Sequence, residues 1–248
     1  CPSTPFNLGM ANATFTSGLT YQWQSASTAT GPWTNIAGAN TSSYPATQVL
    51  DTWYQCIVTC SSTSQVDTSA ALLVTTNSFV NCYCTSASTS VADEEILNVT
   101  LSTLNNSSTC TTTGGPGSVQ NNYSNYTTTV AAPILSPGVF YPFSVEIGTC
   151  GGTFNNWTKA WIDFNQNGQF TDPGEQVYSS TVATNGPHVE IGTVTVPATA
   201  PSGITRMRVV NVETSATTGV NPCGTYTWGE TEDYFVNISA PPTCPWPS

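Results

Sequence analysis

Trp161-Ile162-Asp163-Phe164-Asn165-Gln166-Asn167-Gly168-Gln169-Phe170-Thr171-Asp172-Pro173-Gly174-Glu175 is the stretch that decides how this 248-residue chain is read. Oxygen-bearing side chains at the alternate positions Asp163, Asn165 and Asn167, followed by a glycine where the loop must turn sharply, have the shape that wraps a hard cation such as calcium. The spacing departs from the helix-loop-helix form of such a loop. The place of the bidentate glutamate holds Gly174, and the acid comes one residue later, at Glu175. The flanks read as strands, so the expectation is a calcium-bearing hairpin loop. Asp172 or Glu175 would close the shell and the Gln169 carbonyl would add an oxygen. The alternative is an Asn/Gly-rich β-turn that binds nothing, because the same residues also favour positive φ.

Outward from this loop, short β-branched and aromatic runs alternate with clusters of Gly, Pro, Asn and Ser, and no long stretch has a helical period. The fold class expected is all-β: an Ig-like β-sandwich over residues 1–76, a linker at 77–81, a larger β-sandwich or jelly-roll-like domain over 82–239, and a Pro-rich exit at 240–248. In the first segment Leu19-Thr20-Tyr21-Gln22-Trp23-Gln24 puts Tyr21 and Trp23 on one face of a strand, and Thr52 to Val58 puts Tyr54, Cys56 and Val58 together. A tyrosine two residues before a cysteine, with a tryptophan placed to pack on a bridge, is the Ig arrangement, and Cys1 is the expected partner of Cys56. The words Tyr-Gln-Trp-Gln and Trp-Tyr-Gln-Cys resemble bacterial Ig-like repeats. The closing Cys244-Pro245-Trp246-Pro247 is similar to the opening Cys1-Pro2, as if a further repeat began there.

Near the end of the chain stands Gly229-Glu230-Thr231-Glu232-Asp233-Tyr234. Together with Tyr83-Cys84, Asp93-Glu94-Glu95-Ile96-Leu97-Asn98-Val99-Thr100-Leu101, the 161–175 loop, Thr205-Arg206-Met207-Arg208 and Cys223-Gly224-Thr225-Tyr226, it resembles the GEVED domain over about residues 82–239. The resemblance implies a module of secreted, multidomain bacterial surface proteins, and says more about location and company than about chemistry. The central valine of the signature is here Thr231, a departure that would be mild if that side chain faced solvent. On a strand Glu230 and Glu232 share a face while Asp233 points away. Glu232 or Asp233 is expected beside the Asp163 loop, adding oxygens to the same cation or orienting its ligands.

Composition narrows the function further. Only 7% of residues are charged, with three Lys and Arg against 14 Asp and Glu and a formal net charge of −11. Phosphate binding needs clustered basic side chains, so nucleic acid is excluded as a partner, and attraction to anionic membrane surfaces with it. No apolar run is long enough to span a bilayer, so no membrane insertion is expected. Solubility must come from Ser, Thr, Asn and Gln or from attached sugar, and sequons stand at Asn12, Asn40, Asn98, Asn105, Asn106, Asn122, Asn125, Asn156 and Asn237. Nine cysteines point to an oxidising compartment, hence a secreted, extracellular or cell-surface location. Spacing suggests Cys84 with Cys110 and Cys150 with Cys223. Cys60 is then left to Cys82, and Cys244 is the odd cysteine.

Catalysis has little to draw on. His188 is the only imidazole, it sits in a loop entering a strand, and no nucleophile elbow is present. The chain is therefore read as no enzyme but a structural or adhesive module, stabilised by disulfides and calcium. Its partners would be copies of itself, as in a surface fibre, or neighbouring modules of the same protein. The competing function is a carbohydrate-binding module accompanying a secreted hydrolase, with Trp33, Trp157 and Trp228 as the candidate sugar-stacking residues.

Overall fold

The computed structural model describes residues 1–11 and 18–240. Two compact units divide at Cys82 and Tyr83. Apart from two 3-10 turns, Phe79–Asn81 and Thr217–Gly219, every regular element among the described residues is a strand, so the chain is all-β. No helix of the described residues is long and apolar enough to cross a membrane.

In the first unit, β1 (Phe6–Gly9) and β4 (Ser43–Ala46) form one short antiparallel sheet. β2 (Leu19–Ala26), β3 (Thr34–Asn35), β5 (Thr52–Cys60), β6 (Val66–Thr68) and β7 (Leu72–Val74) form the other, in the order β3-β2-β5, with β6 and β7 both on β5. Leu8 and Ala46 from the small sheet join Trp23, Tyr54 and Cys56 from the large one in a single buried cluster, so the two sheets pack face to face. Period-two alternation accounts for this, since Trp23 pairs with Cys56 across β2 and β5 and Tyr54 lies two residues away on the same face.

The Cys1–Cys56 bridge expected from the sequence does not form. Cys56 is fully buried and carries a free thiol, and the opposing sheet meets it with Leu8 rather than a cysteine. Cys1 lies outside the strands and bonds Cys82 instead, closing the unit end to end. Cys60, the last residue of β5, is also free, so the Cys60–Cys82 pairing fails with it.

The second unit has three layers. One is the antiparallel sheet β10-β9-β13-β17, from β9 (Glu94–Leu101), β10 (Leu104–Ser107), β13 (Phe140–Thr149) and β17 (His188–Thr195). The central sheet runs β11-β20-β18-β14-β15, from β11 (Tyr123–Asn125), β14 (Asn155–Ile162), β15 (Gln176–Ser179), β18 (Gly203–Glu213) and β20 (Gly229–Ile238). β12 (Ile134–Leu135) adds to β20 and β16 (Thr184–Asn185) to β14. These sheets bury Ile96, Val99, Phe143, Val145, Ile162, Met207, Val209 and Tyr234 between them. The outer face of the central sheet is covered by a smaller cluster of Trp161, Phe170, Val210, Val212 and Val220, against which Tyr83, Trp157 and Tyr226 pack. The short parallel pair β8 (Ser86–Ser88) and β19 (Gly224–Tyr226) lies in this unit as well.

Both bridges of this unit correct the expected pairs. Cys84 bonds Cys223, not Cys110, because β8 and β19 run side by side with Gly224 opposite Ser86. Cys110 bonds Cys150, not Cys223, because Cys110 follows β10 and Cys150 follows β13, the two neighbours of β9. The three loops closed are 81, 139 and 40 residues in separation. In the chain-entropy account each stabilises by about 4 to 5 kcal/mol. Cys244 lies outside the described residues.

Candidate functional site: a hairpin loop and the strand behind it

The 163–175 segment is a hairpin connection from β14 to β15, so the strand reading of its flanks holds. Asp163 is fully buried and organises it. Its Oδ1 accepts the Asn167 N–H (3.2 Å), and its Oδ2 accepts the Gly168 N–H (2.8 Å) and the Tyr83 hydroxyl (2.7 Å). Asn165 Oδ1 accepts from the Asn167 N–H and Asn167 Oδ1 from the Gln169 N–H, so each alternate oxygen caps the turn that follows it. The Asn167 amide donates to Asp172 Oδ2 at 2.7 Å. Gln166 and Gly168 take left-handed φ of 59° and 83°, which the tight winding requires.

Glu175 is buried, and its two oxygens meet only long contacts from the N–H groups of Asn165 (3.4 Å) and Asp172 (3.3 Å). Burial, and then the nearby Asp163 and Asp172 charges, push its carboxyl up to about 7. The donor set is therefore one of hard oxygens: three carboxylates and two amides, with lone pairs left over. It suits calcium in kind. Among the described residues no three acidic, histidine or cysteine side chains converge on one point, so a cation would have to draw Asp172 and Glu175 inward.

Behind the loop stands a stack that the sequence did not announce. The Arg206 guanidinium lies 4.4 Å over the Tyr83 ring, and Tyr83 stacks on Phe170 of the loop at 4.8 Å. The Arg208 guanidinium lies 5.0 Å over Phe170. Arg208 in turn grips Asp233 with two bonds, Nε to Oδ1 and Nη2 to Oδ2, both 2.7 Å. Its remaining nitrogen donates to the carbonyls of Pro222 and Cys84, beside the Cys84–Cys223 bridge. Asp233 also receives Arg206 at 3.1 Å and the Tyr123 hydroxyl at 2.9 Å. The loop and the signature strand are thus joined through cation–π stacking and an ion pair. One available clue was that Arg206 and Arg208 are two of only three basic residues in the chain.

Neither Glu232 nor Asp233 is a hydrogen-bond partner of Asp163; Asp233 connects to it only by way of Arg206 and Tyr83. Asp233 faces the arginines, and Glu232 faces the opposite side of β20, where its Oε2 accepts the Tyr234 hydroxyl at 2.7 Å. Glu230 lies on that same face and accepts the Ile96 N–H (3.1 Å) and the Ser124 hydroxyl (2.8 Å). Burial and the neighbouring Glu230 push Glu95 up to about 10, and it shares a hydrogen bond with Glu230. Burial, then Glu230, raises Glu232 as well. Thr231 does not face solvent: it is fully buried, and its hydroxyl meets Ser86 Oγ at 2.9 Å and the Tyr226 hydroxyl at 2.8 Å. The signature has polar neighbours on both faces of one central strand.

The three tryptophans are not gathered into one row. Trp33 belongs to the first unit. Trp157 is half-buried against the outer cluster with its indole N–H on Ser179 Oγ. Trp228, at 39% exposure, is the most open. Both nitrogens of His188 face acceptors, the Gly186 carbonyl at 2.7 Å and Glu190 Oε1 at 3.1 Å. Of the sequons, Asn156 is fully buried and Asn98 spends its amide on three acceptors, whereas Asn40 and Asn105 are exposed. Asn12 lies outside the described residues.

Against known families, residues 157–237 match the GEVED domain, a shorter span than the 82–239 over which the resemblance was drawn. Residues 1–78 match a domain of unknown function, DUF8696, in place of the bacterial Ig-like repeat expected there. No curated protein matches this chain. Among solved structures, the CARDB domain of PF1109 from Pyrococcus furiosus is similar at 14% identity over 43% of this chain and 85% of that one, with a TM-score of 0.27. A crystal structure of the same domain in complex with di-metal ions gives 13%, 43%, 84% and 0.28.

Proposed function

We propose that this chain is a structural and adhesive module of a secreted or cell-surface protein, and not an enzyme. The observation that carries this reading is the burial of the signature itself. Glu230, Thr231, Glu232 and Asp233 are each no more than 1% exposed and are spent on internal hydrogen bonds and the Arg208 pair. Acids in such positions hold sheets together and meet no substrate. Three disulfides suit an oxidising, extracellular setting, and they supply stiffness and resistance to proteolysis. Calcium in the 163–175 loop, held by Asp163, Asn165, Asn167, Asp172 and Glu175, would draw the three acids together and stiffen the same region further.

The partner we propose is a second copy or a neighbouring module. β17 is an edge strand of its sheet, and Ile191 and Val189 on it, with Phe140 on β13, are exposed on a face whose other members there are Pro142, Ser144, Glu146, Thr193 and Thr195. Phe140 and Ile191 are 72% and 77% exposed. Apolar side chains on an edge strand with few charges are a template for pairing with another chain. Sedimentation velocity over a wide range of concentration tests this. Association that is lost in Ile191→Lys supports the reading, and monomers at every concentration in both proteins overturn it.

A carbohydrate ligand is the second reading. It is favoured by a cavity of about 330 Å³ lined by Tyr83, Asn122, Tyr123 and Arg206, which offers aromatic faces beside polar groups. Binding to a glycan array that is abolished by Tyr123→Ala would favour it over assembly.

A further inference from the structure

The far end of β14 from the loop carries a second group of acids that the signature strand does not account for. Asn156, at the start of β14, lies opposite Glu213 at the end of β18, with both side chains on the same face. Glu94 reaches this corner from β9, where its Oε1 accepts the Phe154 N–H at 2.8 Å. The Asn156 amide nitrogen points to the Phe154 carbonyl at 3.4 Å, which fixes the amide and turns its oxygen away from that carbonyl.

Glu94 Oε2, Glu213 Oε2 and Asn156 Oδ1 are buried and meet no N–H or hydroxyl donor, and the Glu94 and Glu213 carboxyls lie within hydrogen-bond reach of each other. Glu94 is 1% exposed and Asn156 fully buried. Leaving such atoms unmatched costs about 1 to 3 kcal/mol each, more when they are charged. No lysine or arginine can answer them, because Lys159, Arg206 and Arg208 all lie on the other face of the central sheet. Asp93 adds a further negative charge next door. Its Oδ1 holds the Gly152 N–H at 2.7 Å, and its own φ is 75°. Burial, then Glu213 and Asp93, lifts Glu94 to about 7, and burial followed by Asp93 raises Glu213. Glu213 also lines an open pocket with Phe154, Asn155, Asn185, Thr214 and Ser215, so a hydrated cation can reach its carboxyl from solvent.

We propose that Glu94, Glu213 and Asn156 form a second divalent-cation site, taking calcium through two carboxylate oxygens and one amide oxygen, with water in the remaining positions. Two carboxylates balance the charge of the ion, and an all-oxygen set selects a hard cation over a thiophilic one. The site needs only two acids, so it does not require a cage of three. The competing arrangement is a single proton shared between Glu94 and Glu213.

The test is to count calcium bound per full-length chain by equilibrium dialysis, after stripping with chelator, in the wild type, Glu213→Gln, Glu175→Gln and the double variant. Glu213→Gln is expected to lose one calcium per chain while leaving any loop calcium in place, and Glu175→Gln to leave this one in place. Equal counts in the wild type and Glu213→Gln overturn the proposal, whatever the loop does. Should Glu213→Gln fail to fold, wild-type crystals soaked in manganese decide the question. An anomalous peak between Glu94 and Glu213 is expected, and its absence there overturns the site.

Discussion

Arg208 is where the polar architecture of the second unit converges. Its guanidinium is 1% exposed at the residue level and satisfies Asp233, two carbonyls and the face of Phe170 at once. Removing one partner of such a buried pair leaves an uncompensated charge. Arg208→Ala is therefore expected to destabilise by about 3 to 5 kcal/mol, read as a shifted midpoint in denaturant. Thr231→Val restores the signature's usual valine, yet here it strips a hydroxyl from between Ser86 and Tyr226. It is expected to cost about 1 to 2 kcal/mol in the same measurement; a neutral result would mean that the hydroxyl contributes nothing. The free cysteines differ as well. Hydrogen bonds from Ser62 first, and then Thr63, hold the Cys60 thiol down at about 6 at a half-buried strand end, whereas burial raises Cys56 in the core. Iodoacetamide followed by peptide mapping should label Cys60 in the native protein and Cys56 only after unfolding.

At the scale of strands, β14, β18 and β20 share one pattern. Their inward faces begin apolar, with Ile162, Met207 and Tyr234, and turn polar toward the other end, with Asn156, Glu213 and Glu230. The buried glutamates of β9 and β20 have folded pKa values above the unfolded value of 4.5: Glu94 at about 7, Glu95 at about 10, and Glu232 raised. A carboxyl raised in the fold contributes stability that is fully present below 4.5 and is lost as pH climbs toward the folded value. In chelator the melting temperature should accordingly fall between about pH 5 and pH 8.5. Glu95→Gln, which keeps a donor for Glu230, should flatten the slope. A melting temperature that rises over this window would contradict the account. Strand periodicity made part of this legible: Trp23 beside Tyr54 and Cys56, and Glu230 with Glu232 against Asp233, all follow from alternation. The layer that covers the outer face of the central sheet was not legible, because alternation says which residues share a face and not what lies on it. The burial of Thr231 was hidden for that reason. The Cys84–Cys223 bridge was not legible because β8 and β19 pair across more than a hundred residues, a contact that loop lengths do not reveal.

In the whole molecule, disulfides and buried polar networks do the work that charge does on an ordinary surface. Calcium should add to it. At a hundredfold excess over Kd, one site would stabilise by about 2.7 kcal/mol, visible as a rise in melting temperature that Glu175→Gln diminishes. An unchanged melting temperature would remove the ion from the account. The central claim is that the signature strand is interior scaffolding and not a surface for chemistry. Hydrogen–deuterium exchange of the native chain tests it most directly. The amides of Gly229–Ile238 are predicted to be among the slowest in the second unit, opening only with global unfolding. Exchange of that strand as fast as the exposed loops would contradict the claim and return Glu230, Glu232 and Asp233 to the list of groups free to meet a ligand.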